Sequence, residues 1–244
     1  MKQIFSAIAV LAMFVFASCG NSSESTTTAS SADTVKAATK DSVAPAEVKP
    51  AFKPFDVVEI VHTVKDFAKW KPAFDADSTA RKAAGLGFIV IGKNQANPNS
   101  LLIALSVADL QKAKDFAASP KLKDVMKKNG VISKPEISYY HIIRFSPDST
   151  KRQWVTVTHK VKNFDAWLKV FDAEGTATRA GYGLSDAVLA QEIGDSNNVH
   201  IVFDITDLAK AKARVNDPAL KKLMTDAGVS ALLRLFFIKK TRIH

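Results

Sequence analysis

The segment His62-Thr63-Val64-Lys65-Asp66-Phe67-Ala68-Lys69-Trp70, followed by Phe74-Asp75, returns later in the chain as His159-Lys160-Val161-Lys162-Asn163-Phe164-Asp165-Ala166-Trp167, followed by Phe171-Asp172. Further matches come in the same order. Asp109-Leu110-Gln111-Lys112-Ala113-Lys114 is answered by Asp207-Leu208-Ala209-Lys210-Ala211-Lys212, Ser119-Pro120 by Asp217-Pro218, and Gly130-Val131 by Gly228-Val229. A chain that repeats itself at such a period is expected to fold as two like units. Its 244 residues leave room for two domains of about 100 residues each.

Each copy reads β-α-β-β-α-β. The first strand alternates, with Val58, Ile60, His62 and Val64 on one face and Val57, Glu59, Val61 and Thr63 on the other. Such alternation is the mark of a strand with two different sides. In the second copy Val155, Val157, His159 and Val161 oppose Trp154, Thr156, Thr158 and Lys160. Asp66 and Asn163 are natural helix N-caps. After them Phe67, Trp70 and Phe74 fall at i, i+3 and i+7 and form one apolar stripe. Pro72 is expected to bend that helix or delay its start, and Gly85 and Gly181 to end the helices. A hairpin follows, turning through Asn94–Asn99 in one copy and Gly194–Asn198 in the other. Asp109 and Asp207 cap the second helix, and Ser119-Pro120 and Asp217-Pro218 restart it. A last strand runs from Ile137 to Phe145, and its counterpart from Leu232 to Lys239.

This is the ferredoxin-like order of elements, in which two helices cover one face of an antiparallel sheet and leave the other bare. Here the chain resembles the dimeric α+β barrel superfamily, and in particular its tandem members in which one chain carries both halves. The resemblance rests on the element order and the HxVK[DN]FxxW-type segment. It implies an α+β fold of two tandem repeats, residues 53–147 and 148–244, pairing sheet to sheet as an intramolecular barrel and a monomeric pseudo-dimer. Members of the superfamily include cofactor-free monooxygenases, isomerases, cyclases and haem proteins, so the fold does not choose a function.

Ahead of the repeats, Lys2 precedes an apolar run from Ile4 to Ala17. It falls short of the roughly 20 residues that span a bilayer but suits a signal-peptide core. Ala17-Ser18-Cys19-Gly20 resembles the bacterial lipobox, with Phe16 departing from the usual leucine. The expectation is a signal peptide over residues 1–18, lipidation at Cys19, and a membrane anchor on the non-cytoplasmic side of a bacterial envelope, periplasmic or at the cell surface. An ordinary secretory leader is the alternative. Residues 19–52, rich in Ser, Thr, Ala and Lys, lack apolar periodicity and read as a flexible tether. Cys19 is the single cysteine, which excludes an intrachain disulfide framework.

The net charge of +10 is spread over helices and tether. Without an RNP-type aromatic motif, helix-turn-helix or zinc-finger spacing, it does not point to nucleic acid. Solvated helix faces are the reading, with anionic lipid headgroups as a secondary one. The best candidates for chemistry are His62 and His159, each the one polar side chain on the apolar face of its first strand. Imidazole serves as acid, base or ligand, and Trp70, Phe74, Trp167 and Phe171 would wall a site around it. The competing reading is a structural histidine in an ordinary core.

His200, whose counterpart is Leu102, is expected with Asp204 in a polar cluster between the sheets. Tyr139 and His141 lie on the strand that passes a pocket, and His244 is terminal. No metal-ligand spacing, nucleophile elbow or nucleotide-binding pattern is present, and no metal or cofactor is expected; a lone histidine is weak ground for haem. The leading function is noncatalytic, a small apolar ligand bound or a scaffold. The alternative is a cofactor-independent monooxygenase- or isomerase-like enzyme with His62 and His159 as acid/base groups.

Overall fold

The computed structural model describes residues 52–241; the leader, Cys19, most of the tether and His244 lie outside the described residues. The first repeat runs β1 (Phe55–Thr63), α1 (Phe67–Ala76), α2 (Ser78–Ala83), β2 (Leu86–Asn94), β3 (Ser100–Val107), α3 (Leu110–Ala118), α4 (Pro120–Lys128) and β4 (Glu136–Phe145). The second repeats the order with β5 (Gln153–Val161), α5 (Phe164–Glu174), α6 (Thr176–Gly181), β6 (Leu184–Glu192), β7 (Asp195–Ile205), α7 (Leu208–Val215), α8 (Pro218–Asp226) and β8 (Val229–Lys240).

The expected caps are in place. Asp66 accepts from the Ala68 and Lys69 amides and Asn163 from Ala166. Asp109 and Asp207 receive the Lys112 and Lys210 amides. Ser119 and Asp217 cap α4 and α8, each with proline next. Three local expectations need correction. Pro72 lies inside α1 and does not delay its start, which follows directly on the Asp66 cap at Phe67. Both copies break one turn further on, at Asp77 and at Gly175, so the break belongs to the shared design. The glycine that reverses the chain in the second copy is Gly183 (φ +74°), matching Gly85 (φ +74°); Gly181 is still helical. The second hairpin turns tightly at Ile193-Gly194, and β7 already begins at Asp195.

Within each repeat the strands lie in the order β4-β1-β3-β2 and β8-β5-β7-β6. The halves then join edge to edge: β2 pairs β8, β4 pairs β6, and an eight-stranded antiparallel barrel closes. Bulges at matching places, between Phe88 and Val90 and between Asp186 and Val188, add the curvature that closure needs. At the β2–β8 seam Gly92 is required for close approach, because a Cβ there would run into Ile238 and Trp154.

Strand alternation now separates two kinds of interior. Outside the barrel, each helix layer packs on its own sheet around Val58, Trp70, Ile103 and Leu105, or around Val155, Trp167, Ile201 and Phe203. Inside the barrel, Val57, Tyr140, Ile142 and Ala190 form one cluster and Val61, Leu102, Trp154 and Ile238 another. The bare sheet face left by each repeat is therefore covered by its sibling, through ring closure. Among the described residues no helix is long and apolar enough to cross a membrane.

Candidate functional site

His62 and His159 sit near the ends of β1 and β5, on the helix-facing side, because they share parity with Val58 and Val155. Both are buried, with 5% and 3% of their surface exposed. Each imidazole meets a tryptophan edge-on, His62 with Trp70 at 5.4 Å and His159 with Trp167 at 5.3 Å between ring centroids. The tryptophans in turn stack on Phe74 at 5.0 Å and on Phe171 at 5.1 Å. The stripe predicted at i, i+3 and i+7 is thus an aromatic wall, reproduced to a tenth of an ångström in both copies.

Beside each histidine the layer is not filled. A cavity of about 100 Å³ adjoins His62, and one of about 130 Å³ adjoins His159. Their outer walls are α4, with Leu122 and Met126, and α8, with Leu220 and Met224. Neither α4 nor α8 contains a buried residue, so these covers are the least tightly packed helices of their repeats. The cavities reach the surface beside the exposed Ile137 and Leu232.

Neither ring nitrogen of His62 or of His159 has a hydrogen-bond partner in the protein. Leaving such a buried group unmatched costs about 1–3 kcal/mol. Burial pushes both imidazoles down from 6.5 to about 4, so they are neutral at physiological pH. A neutral imidazole offers one N–H donor and one lone-pair acceptor, and here both are unused. For scale, an apolar cavity of about 150 Å³ can hold benzene, whereas sites for drug-sized molecules run to roughly 300–1,000 Å³. A macrocycle such as haem does not fit either cavity.

Two residues missed in the sequence complete the pair of sites. Arg81 and Arg179 are buried and line their respective cavities. Arg81 lies over the Phe74 ring at 3.6 Å and donates to the Phe74 carbonyl, while Arg179 lies over Phe171 at 4.0 Å and donates to the Phe171 carbonyl. The signal was available: each arginine stands four residues before the Gly-Leu that opens the next strand. The copies differ in what neutralises it. Arg179 is held by Asp186 through two hydrogen bonds of 2.6 and 2.7 Å and by Glu174 at 3.3 Å. For Arg81 the nearest ion pair is Asp77 at 3.9 Å.

The remaining candidates separate. Tyr139 lines the first cavity. His141 does not; it is exposed and bonds Asp56 at 2.7 Å. His200 and Asp204 both face the barrel interior, but they do not share a cluster. His200 joins Glu59, Thr158 and Tyr140, whereas Asp204 accepts the Asp148 amide at 2.7 Å. Among the described residues no group of histidine, cysteine and carboxylate side chains is placed to hold a metal ion.

With the ring closure and both helix layers described, comparison with solved structures fixes the architecture. The chain has the dimeric α+β barrel fold. It is similar to an anthrone oxidase-like protein (TM-score 0.53, 13% identity, covering 77% of this chain and 92% of the other). It is also similar to a mutant chlorite dismutase from Candidatus Nitrospira defluvii solved with cyanide (TM-score 0.53, 11% identity, 78% and 91%). A candidate monooxygenase from Fusobacterium nucleatum gives a TM-score of 0.51 at 10% identity, covering 78% and 94%. At such identities the likeness is one of fold. No protein-family model and no curated protein matches the sequence.

Proposed function

We propose that the protein binds a small, mostly apolar ligand in two equivalent pockets, one per repeat, with His62 and His159 supplying the polar contact. The observation that carries this reading is the pairing of an unfilled cavity with a buried imidazole whose two nitrogens are both unpartnered, present twice. A purely structural histidine would be expected to bond a neighbouring carbonyl or hydroxyl. The guest would lie against Trp70 and Phe74, or Trp167 and Phe171, and place one hydroxyl or carbonyl at the ring. The anchor through Cys19 remains part of the proposal: a lipid-tethered binding protein on the non-cytoplasmic face of a bacterial envelope, working as a single chain without nucleic acid.

Catalysis is the second reading. The fold is shared with an anthrone oxidase-like protein, and the cavities hold the one type of side chain suited to proton transfer at neutral pH. Against it, an imidazole with a pKa of about 4 is a weak base, and efficient general bases are poised near the working pH. Native mass spectrometry of the full chain tests the binding reading. A retained small molecule is expected, lost in the His62→Ala/His159→Ala variant. Unchanged retention in that variant would reject these histidines as the site.

A further inference from the structure

We propose that the barrel lumen is a third ligand site, built for one compact, neutral, mostly hydrocarbon molecule bearing a single hydroxyl or carbonyl group. The lumen holds a cavity of about 260 Å³, larger than the helix-side pockets of about 100 and 130 Å³ together. Its wall is contributed by both repeats, with Val57, Leu102 and Ile142 from the first and Trp154, Val188 and Val202 from the second. Neither repeat contains this space alone.

Two features define the guest. One is hydrogen bonding. Thr156, 1% exposed, lines the cavity, and its Oγ1 has no partner in the protein. The neighbouring polar groups are already engaged. Thr158 Oγ1 and His200 Nδ1 lie 2.9 Å apart, His200 Nε2 lies 3.5 Å from Glu59, and Tyr140 stacks on the His200 ring at 4.4 Å. Burial first, and Arg234 besides, keep His200 neutral against the pull of Glu59. Among the buried polar side-chain atoms that line the cavity, Thr156 Oγ1 is therefore the one left to accept from or donate to a guest.

The other feature is charge. At the inner end Glu59 is paired with Arg234. At the mouth Lys151 stands 3.9 Å from Asp148, and Lys240 lies near Asp204, whose carboxyl burial pushes up. The charges facing the lumen thus balance at both ends. An ionic guest would find no free countercharge and would lose its hydration on entry. Apolar walls, balanced charge and a single free hydroxyl together select a neutral molecule with one polar group. Thr156 occupies the position that Glu59 holds in the first repeat, so the site is not two-fold symmetric and would hold its guest in one orientation.

The three tryptophans make the test direct, since Trp70, Trp167 and Trp154 each line a different cavity. In the full chain carrying Trp70→Phe and Trp167→Phe, indole emission comes from Trp154 alone. Titration with 3-bromocamphor, a neutral bicyclic ketone whose bromine quenches indole emission, is expected to give saturable quenching. Adding Thr156→Val, which keeps the shape and removes the hydroxyl, should weaken binding about tenfold, the equivalent of one neutral hydrogen bond. Adding Ala104→Phe, which fills the lumen, should abolish it while far-UV circular dichroism stays unchanged. Quenching that never saturates, or saturates with the same affinity after Thr156→Val, overturns the proposal. The helix-side histidines play no part in this readout, so its failure would leave the paired pockets standing.

Discussion

The two sides of the sheet carry opposite records of the duplication. On the helix-facing side the copies agree: His62 with His159, Trp70 with Trp167, Phe74 with Phe171, Arg81 with Arg179, in nearly the same geometry. On the lumen side they disagree. Glu59 faces Thr156 across the pseudo-symmetry, Leu102 has become His200, Val57 has become Trp154, and Tyr140 answers Ile238. The reason is physical. Each helix layer closes on its own sheet and must be solved once per repeat, so a solution that works is retained twice. The lumen is shared, so a large or charged group from one half needs a smaller or opposite group from the other. Two like charges at symmetric positions would meet in a low-dielectric interior.

This contrast can be broken experimentally. The largest single-site effect is expected in the lumen, where Glu59→Leu leaves the Arg234 guanidinium with only the exposed Glu136 carboxylate, 3.8 Å away. Unfolding by urea should show a loss of about 3–5 kcal/mol, largely recovered in Glu59→Leu/Arg234→Met, because removing both partners of a buried pair costs far less than removing one. A small loss in the single variant would mean that the lumen is wet enough to solvate the charge.

Next comes the acid response of the helix side. His62 and His159 titrate near 4 when folded and near 6.5 when unfolded. Above about 6.5 they are neutral in both states and contribute no pH dependence. As pH falls from 6.5 to 4 the unfolded chain takes up protons that the folded chain refuses, so stability drops, by up to about 3 kcal/mol per histidine. Stability measured against pH should fall less steeply over that window in His62→Leu/His159→Leu. Parallel curves for parent and variant would show that the buried imidazoles find a partner or a route to protonation when folded.

Smaller effects probe how equal the two helix-side copies are. Arg179→Ala removes a bidentate partner of Asp186 and should cost about 3 kcal/mol, against about 1–2 kcal/mol for Arg81→Ala, which loses one carbonyl bond and a ring contact. The smallest difference concerns the reversing glycines. A Cβ on Gly183 would sit 2.5 Å from the Asp207 carbonyl oxygen, whereas on Gly85 the nearest atom is the Asp109 amide nitrogen at 3.2 Å. Both have positive φ, so both alanine variants are strained, and Gly183→Ala should be worse by about 1 kcal/mol. Thermal unfolding of the two variants side by side decides it.

What could be read in the sequence follows the same divide. Alternation along β1 and β5 placed both histidines on the helix side, and the 3.6-residue period brought the tryptophans and phenylalanines over them, because those relations are local. Arg81 and Arg179 escaped notice although they recur, since an arginine on a helix reads as a solvated face until packing buries it. The lumen cluster was less accessible still. Glu59, Tyr140, His200 and Arg234 come from β1, β4, β7 and β8 and meet only because β2 pairs with β8 and β4 with β6, pairings that no local pattern encodes. His200 and Asp204 do both face the lumen, as expected, but they bond different neighbours: His200 meets Thr158 on the adjacent strand and Glu59 from the other repeat, while Asp204 takes the Asp148 amide of the β4–β5 connection.

Closure has one more consequence. Every strand from β1 to β8 is flanked on both sides by another strand of the same chain, with the halves joined over Gly92–Asn94 at the β2–β8 seam and over Tyr140–Phe145 at the β4–β6 seam. A half-barrel on its own would present two sticky margins and invite pairing with any neighbouring copy. Fusing the halves into one polypeptide makes the right partner permanently available and leaves strangers less to zip onto. Where many copies crowd together, closure of this kind lowers the tendency to knit into fibres.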